Sequence, residues 1–422
     1  MISIKKIRAD KEFCKSKLAL KQDNTDIDRL LLLDKKAREL KTSSSQLREK
    51  RNKATEIIGV AKKTGKDVSD AINETRLLGS KLKQLENELN QVSKTLEEYL
   101  FQMPNFPHDS VPTGKDSTGN VIIRTFGDKP EFSFTPKTHL DLGEKLRLFD
   151  FQRGAKLSGS GFPIYTGEGA KLERALINTM LDYHQNNFGF LELFPPVLMN
   201  KQSMQTTGQL PKFEEDMYHT EIDNLYLAPT AEVPVTNYHR NEIIDESNLP
   251  INYVAYSPCF RRESGSYGKD TRGLLRIHQF NKVELVKFTT PQSSYDELET
   301  LTKQAESVLK KLGLHYRVIE LCTGDLSFSA SKCYDLEIWA PGEKKWLEVS
   351  SCSNFESFQA RRGNIRYRRS NDQQVDYLHT LNGSGVATPR LMVALLETYQ
   401  TEQGNILFPS HVADYLGVKE IA

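Results

Sequence analysis

Apolar and small side chains recur every three or four residues at Leu30, Leu33, Ala37, Leu40, Ser44 and Leu47, then at Ala54, Ile58 and Ala61. The rhythm resumes at Ala71, Thr75, Leu78, Leu82, Leu85, Leu89, Val92, Leu96 and Tyr99. This is heptad spacing on two segments. Residues 27–100 contain no proline, tryptophan or phenylalanine, and the break between the segments is the short stretch KKTGKD. A connection that short permits only a reversal. The pattern predicts an antiparallel two-helix coiled coil, each helix of about 30–35 residues and roughly 50 Å long. Two helices of a compact bundle are the alternative, but neither segment carries a second apolar stripe on which a third helix would pack.

The heptads stop at a stretch rich in Pro, Gly and Asp, QMPNFPHDSVPTGKDSTGN. That composition reads as a linker. It divides the chain into an expected amino-terminal domain, residues 1–103, and a second domain, residues 104–422. In the second, strand-like runs (NYVAYSPCF, IHQFNKVELVKF, KKWLEVSSCSNF) alternate irregularly with helical ones (GEGAKLERALINTMLDYHQNNFG, and YDELETLTKQAESVLKKLG ending on Gly313). There is no regular βαβα order, so the expected class is α+β with a largely antiparallel sheet flanked by helices.

Composition narrows the partners. The chain has 422 residues, 38% hydrophobic and 27% charged, with a net charge of +1. Those figures fit a soluble globular protein of two or three domains, and the overall charge by itself does not point to a polyanion partner. The charge is nevertheless uneven. From Lys35 to Lys63 ten cations face only Glu39, Glu49 and Glu56. Such a run is either a solvated helix face or a surface that follows a nucleic-acid backbone. The cysteines are Cys14, Cys259, Cys322, Cys333 and Cys352, an odd number with no C-x-x-C pair. This argues against a disulfide framework or zinc module and for a reduced, cytoplasmic compartment. The first residues lack the apolar core of a signal peptide, and no run approaches the roughly 20 apolar residues of a membrane span, so no membrane partner is expected.

Candidate chemistry concentrates in FRRESGSYGKDTRGLLRIHQFNKVELV, residues 260–286. Apolar strand-like runs flank it. Arg261, Arg262, Lys269 and Arg272 can reach a polyphosphate lying over the sheet, and Gly265, Gly268 and Gly273 let the loop bend close to it. On the second strand, alternation groups Arg276, His278, Phe280, Lys282 and Glu284 on one face, with Ile277, Val283 and Leu285 on the other. Phe280 offers a flat surface for a base. An exposed charged hairpin is the competing reading. No P-loop, no class I synthetase motif and no H-E-x-x-H metal spacing occurs.

This stretch resembles motif 2 of the class II aminoacyl-tRNA synthetases, a strand–loop–strand beginning F-R-x-E, here Phe260 to Glu263. More narrowly, GKDTRGLLRIHQFNKVEL is similar to the seryl-tRNA synthetases. LELFPPVLMNKQSM resembles motif 1, with Pro196 in the motif's proline position, and LAPTAEVPVTN carries the T-A-E signature at Thr230, Ala231 and Glu232. WLEVSSCSNFESFQARR and LNGSGVATPRLMVALLETYQ are similar to the later strand and motif 3. GVATPR departs from the GLAVGR of many bacterial members but keeps Arg390. The amino-terminal hairpin is also the family's arrangement, so the resemblance covers essentially the whole chain.

The resemblance implies a serine–tRNA ligase that forms seryl-adenylate from L-serine and ATP, then charges tRNA(Ser), and tRNA(Sec) where that tRNA exists. It implies a homodimer through motif 1, and a hairpin that contacts the long variable arm and elbow of the tRNA. It implies ATP contacts from Arg261, Arg262, Glu263, Ile277, Phe280, Glu348, Val349, Ser350, Ser351 and Arg390. Arg261 and Arg390 are the expected catalytic pair. Thr230, Ala231, Glu232, Glu284, Asn382 and Ser384 are the expected serine site, with Glu232 taking the α-ammonium and Glu284 the hydroxyl. Glu348 and Ser351 are the expected Mg²⁺ ligands. The attacking serine carboxylate is already an anion at neutral pH, so catalysis by position and charge suffices. Two alternatives remain at this point: a nucleic-acid-binding scaffold on a degenerate synthetase domain, and a ligase that loads a carrier protein. Intact Arg261, Glu263, Glu348 and Arg390 oppose the first, and the long basic arm opposes the second.

Overall fold

A computed structural model describes residues 1–264 and 272–422. Gly265, Gly268 and Lys269, assigned above to the phosphate-facing loop, lie outside the described residues. The chain divides into two compact units, one of residues 2–19 and 23–104, the other of Met1, residues 20–22 and 105–422.

The smaller unit is dominated by α1 (Ile27–Lys63) and α2 (Ser69–Gln102). The Asp26 carboxylate caps α1 by accepting the Arg29 N–H, satisfying one of the orphan donors of the first turn. Thr64 and Gly65, the latter at φ +72°, reverse the chain within KKTGKD. All of the heptad positions from Leu30 to Tyr99 are buried or half-buried, as the spacing predicts. Lys36–Glu88 (2.8 Å) and Arg48–Glu86 pair across the two helices. Near the base, the buried Asp34 carboxylate takes Arg38 at 3.0 Å and Arg8 at 3.4 Å.

The larger unit is built on an eight-stranded sheet. Its strands are β1 (Val121–Phe126), β2 (Leu191–Leu193), β3 (Ile251–Phe260), β4 (Gln279–Thr289), β5 (Tyr316–Glu320), β6 (Lys332–Ala340), β7 (Lys345–Asn354) and β8 (His379–Ala387). They lie in the order β1-β5-β6-β7-β8-β4-β3-β2. Every pairing is antiparallel except β2 on β3. Helices α3 (His139–Lys145), α4 (Gly167–Phe188), α5 (Ser294–Lys311) and α6 (Thr388–Thr398) support it. Leu176 and Met180 of α4, Leu298, Leu301 and Val308 of α5, and Leu391 and Leu395 of α6 join Val283, Leu285, Leu336, Val349, Leu381 and Val386 of the sheet in one core. α4 and α5 stop at Gly189 (φ +67°) and Gly313 (φ +63°), where a residue with a Cβ is disfavoured.

Two irregularities shape the sheet around the site. Between β6 and β7, Leu336 faces Ser350 and Glu337 faces Glu348, so Val349 is an extra residue. Between β4 and β8, Val283 faces Val386 and Glu284 faces Ser384, so Gly385 is extra. Each is a β-bulge, which changes the face that the following side chains occupy. One boundary differs from the sequence reading. The second strand of the motif begins at Gln279, not Arg276. The preceding residues are still returning from the loop: Gly273 is left-handed, and His278 donates its N–H to the Gly161 carbonyl rather than to a ladder partner.

Candidate active site

A cleft of about 650 Å³ opens over β3, β4, β7 and β8. At one end Arg261, at the close of β3, lies with its guanidinium 5.2 Å from the centre of the Phe280 ring and donates from Nε to the Pro229 carbonyl at 3.3 Å. Opposite stands Arg390, in the first turn of α6 just after Pro389. Pro suits that position because the first-turn N–H has no intrahelical partner. Arg390 donates from Nε to the Leu275 carbonyl (3.1 Å) and from Nη1 to the Glu348 carbonyl (2.8 Å), with its guanidinium 3.8 Å from the Glu348 carboxylate. Two guanidiniums and an aromatic face on one concave surface can hold a purine and its phosphates. Glu263, at φ +53°, pairs with Arg276 on the return limb of the loop, and both line the cleft.

The other end is a buried polar cluster. Glu284 on β4 is fully buried. Its two oxygens accept from Asn382 Nδ2 (2.9 Å) and Thr230 Oγ1 (3.0 Å), and Lys282 Nζ makes an ion pair with it. The bulge at Gly385 sets Glu284 directly across from Ser384. Glu232 is also buried. Gln359 donates to it at 2.6 Å, and Thr380 fixes the Gln359 carbonyl in turn at 2.7 Å. Burial, then the nearby Glu284 charge, pushes the Glu232 carboxyl up to about 7.

Glu348 and Ser351 both line the cleft. Strict alternation along a strand would send residues three apart to opposite faces; the extra Val349 between them removes that constraint. Asp335 is the cross-strand partner of Ser351, and its carboxyl is held well above its usual range by burial first and the Glu348 charge second. An all-oxygen set of carboxylate and hydroxyl groups suits a hard divalent cation.

Most of the expected site residues therefore meet in one place: Thr230, Glu232, Arg261, Glu263, Ile277, Phe280, Glu348, Val349, Ser350, Ser351, Asn382, Ser384 and Arg390 all line the cleft. Three do not. Glu284 is fully buried, held by Thr230, Lys282 and Asn382, which do line it. Ala231 is buried in a side core with Val235 and Tyr253. Arg262 is exposed, with its backbone N–H on the Asp216 carbonyl. Alternation explains Arg262, because its neighbour Arg261 takes the cleft side. Sequence reasoning did not assign Lys282, Gln359 or Thr380 to the site. Lys282 was legible as a neighbour of Glu284 on the same strand face; Gln359 and Thr380 had no local signal.

Comparison with known proteins bears on the same residues. Residues 1–107 match the seryl-tRNA synthetase N-terminal domain, and residues 213–399 match the tRNA synthetase class II core domain (G, H, P, S and T). A serine–tRNA ligase of Carboxydothermus hydrogenoformans is 51% identical over 421 residues, covering 100% of this chain and 99% of the relative. The fold superposes on the seryl-tRNA synthetase of Pyrococcus horikoshii complexed with ATP, with a TM-score of 0.91, 38% identity, and 100% and 99% of the two chains covered. The cytoplasmic serine–tRNA ligase of Naegleria fowleri in complex with AMP gives a TM-score of 0.83 at 27% identity, covering 97% and 95%. With both domain models matched, and half-identical relatives aligned along its full length, the chain belongs to the seryl-tRNA synthetase family of class II, ATP-dependent aminoacyl-tRNA ligases.

Proposed function

We propose that the cleft joins L-serine to ATP, giving seryl-adenylate and pyrophosphate, and then passes the seryl group to the 3′ end of tRNA(Ser). The observation that carries this reading is the meeting, in one cleft, of two arginines and an aromatic ring with Thr230, Lys282 and Asn382, the three donors that hold the buried Glu284 carboxylate. The serine carboxylate attacks the α-phosphorus, the bond to the β-phosphate oxygen breaks, and pyrophosphate leaves. Arg261 would meet the charge shifting onto the α-phosphate, with adenine on Phe280. Arg390, aided by the positive end of α6, would hold the terminal phosphate. Glu232 takes the α-ammonium and Glu284 accepts from the serine hydroxyl. An amino acid without that hydroxyl leaves a buried acceptor unmatched, which can cost roughly 10⁴–10⁵ in selectivity. Glu348 and Ser351 are the residues that would hold Mg²⁺, which supplies charge neutralisation on the phosphates.

The division at residues 103 and 104 assigns tRNA recognition to the first domain and chemistry to the second. The cations of α1 suit backbone and shape readout of an RNA. Homodimerisation is part of the same reading. It is supported by the open edge strand β2 and its surroundings, where Leu191, Leu198 and Phe194 are 61%, 48% and 81% exposed. Charging of tRNA(Sec) with serine is included as a second acceptor.

A charging assay with purified full-length chain, ATP, Mg²⁺ and each of the twenty amino acids tests the proposal. Serine alone should be transferred to tRNA(Ser), and tRNA(Sec) should compete. Transfer of another amino acid, or none, refutes it; absence of tRNA(Sec) charging removes that acceptor only. Light scattering at micromolar protein should give twice the chain mass.

A further inference from the structure

Away from the substrate-facing groups, one fully buried histidine sits between two carboxylates at the back of the cleft. His139 opens α3, and its Nδ1 lies 3.3 Å from both Glu343 and Glu397. The His139 and Glu397 side chains are inaccessible, and that of Glu343 is 5% exposed. Glu397, near the end of α6, also accepts the backbone N–H groups of His139 (2.9 Å), Gly342 (2.9 Å) and Glu343 (3.0 Å). The carboxylates therefore hold the imidazole ring from one side. Its other nitrogen, Nε2, accepts the Leu274 N–H at 3.3 Å. An acceptor at Nε2 puts the single ring proton on Nδ1, between the carboxylates.

Leu274 belongs to the segment that leads into β4, and both Leu274 and Leu275 line the cleft. The next carbonyl, that of Leu275, accepts from Arg390. Arg390 and Glu397 lie seven residues apart on α6, two turns along one face. One helix thus grips adjacent residues of the limb from both of its ends: directly through Arg390, and through Glu397 and His139. Gly273 completes the grip. It is left-handed (φ +62°), and a Cβ there would overlap His139 Nε2.

We propose that His139 is a positioning residue for ATP: fixed as the Nδ1–H tautomer by Glu343 and Glu397, it holds the Leu274–Leu275 limb where Arg390 and the purine pocket need it. His139, Glu343 and Glu397 are also spaced to surround a cation. A cation would need the Nδ1 lone pair and would move the proton to Nε2, against the Leu274 N–H. The hydrogen-bonded hub is the arrangement consistent with that contact.

The inference rests on the cleft being the ATP site, and serine-dependent ATP–pyrophosphate exchange separates the two claims. His139→Asn keeps a donor toward the carboxylates but loses the acceptor that reaches Leu274. His139→Gln extends an acceptor back toward it. The expected result is a rise of about five- to tenfold in the KM for ATP in His139→Asn, with the KM for serine unchanged and partial recovery in His139→Gln. Gly273→Ala, which leaves the buried groups intact and displaces the limb from its own side, should raise the same KM. An unchanged KM for ATP in these variants, or a loss of kcat with both KM values unaltered, overturns the positioning role. So does a stoichiometric divalent metal found by mass spectrometry in EDTA-washed wild-type enzyme. Wild-type enzyme without exchange sinks the ATP reading itself.

Discussion

In the hairpin of α1 and α2, charged groups stand in solvent and pair within a turn or across to the facing helix: Lys53 with Glu49, Lys36 with Glu88, Arg48 with Glu86. In the cleft, carboxylates are buried and held by groups from distant parts of the chain. Glu284 takes Thr230 and Asn382, 54 and 98 residues away, and Glu232 takes Gln359, 127 residues away. The contrast is one of dielectric. An exposed pair exchanges water for a partner of similar quality, whereas a buried carboxylate has no substitute for its donors. Apart from the buried Asp34 with Arg8 and Arg38, the arm should tolerate the loss of any single pair. The cleft should not.

The sharpest break of that contrast is Glu284→Ala. It strands Thr230, Asn382 and Lys282 and removes the hydroxyl acceptor, so serine-dependent pyrophosphate exchange should fall by at least about 10³-fold. Retained exchange would show that the buried cluster is scaffolding. Arg390→Lys is next. A lysine keeps the charge but not the planar fork that reaches Leu275, Glu348 and a phosphate together, and kcat/KM should drop about 10²-fold.

Titration gives a third test. The folded Glu232 carboxyl, at about 7, lies above its unfolded value of 4.5. As pH rises from 4.5 towards 7 the unfolded chain releases this proton first, so the ligand-free fold loses stability over that window. A bound ammonium reverses the preference by favouring the carboxylate. The KM for serine should therefore rise as pH falls below 7, and Glu232→Gln should abolish that dependence; an identical profile in both would remove Glu232 from the ammonium site.

On the arm, Lys50, Arg51, Lys62 and Lys63 have no ion pair among the described residues. Replacing Lys62 and Lys63 by Ala should raise the KM for tRNA by a few fold, flatten its salt dependence by up to about one unit of slope per lost phosphate contact, and leave exchange untouched. The smallest effect belongs to Arg48→Ala. Denaturant unfolding should report a loss under about 1 kcal/mol, shrinking as salt is added. A loss of several kcal/mol would mean that the arm depends on its surface pairs as the cleft depends on its buried ones.

The same contrast decides what was legible in the sequence. The hairpin follows from a local period, and each heptad position from Leu30 to Tyr99 is at least half-buried. Three strands and two helices of the larger unit were legible for the same reason, including the stop at Gly313, although the second motif strand starts at Gln279 and not at Arg276. Local pattern marked only one wall of the cleft, the loop cations and the polar face of β4 with Phe280, Lys282 and Glu284. The other site residues were found through motif resemblance, a route that carried Ala231 along although its side chain does not line the cleft. The bulges at Val349 and Gly385 have no counterpart in a period of two, yet they decide that Glu348 and Ser351 share the cleft and that Glu284 meets Ser384. Gln359 and Thr380 support Glu232 through contacts that exist only once the chain has folded.

A crystal structure with a non-hydrolysable seryl-adenylate analogue tests the central claim most directly. The account predicts adenine stacked on Phe280, the phosphate mimic beside Arg261, and the seryl hydroxyl within hydrogen-bond distance of Glu284. An analogue bound with its seryl group away from Glu284, or outside the cleft, would contradict it.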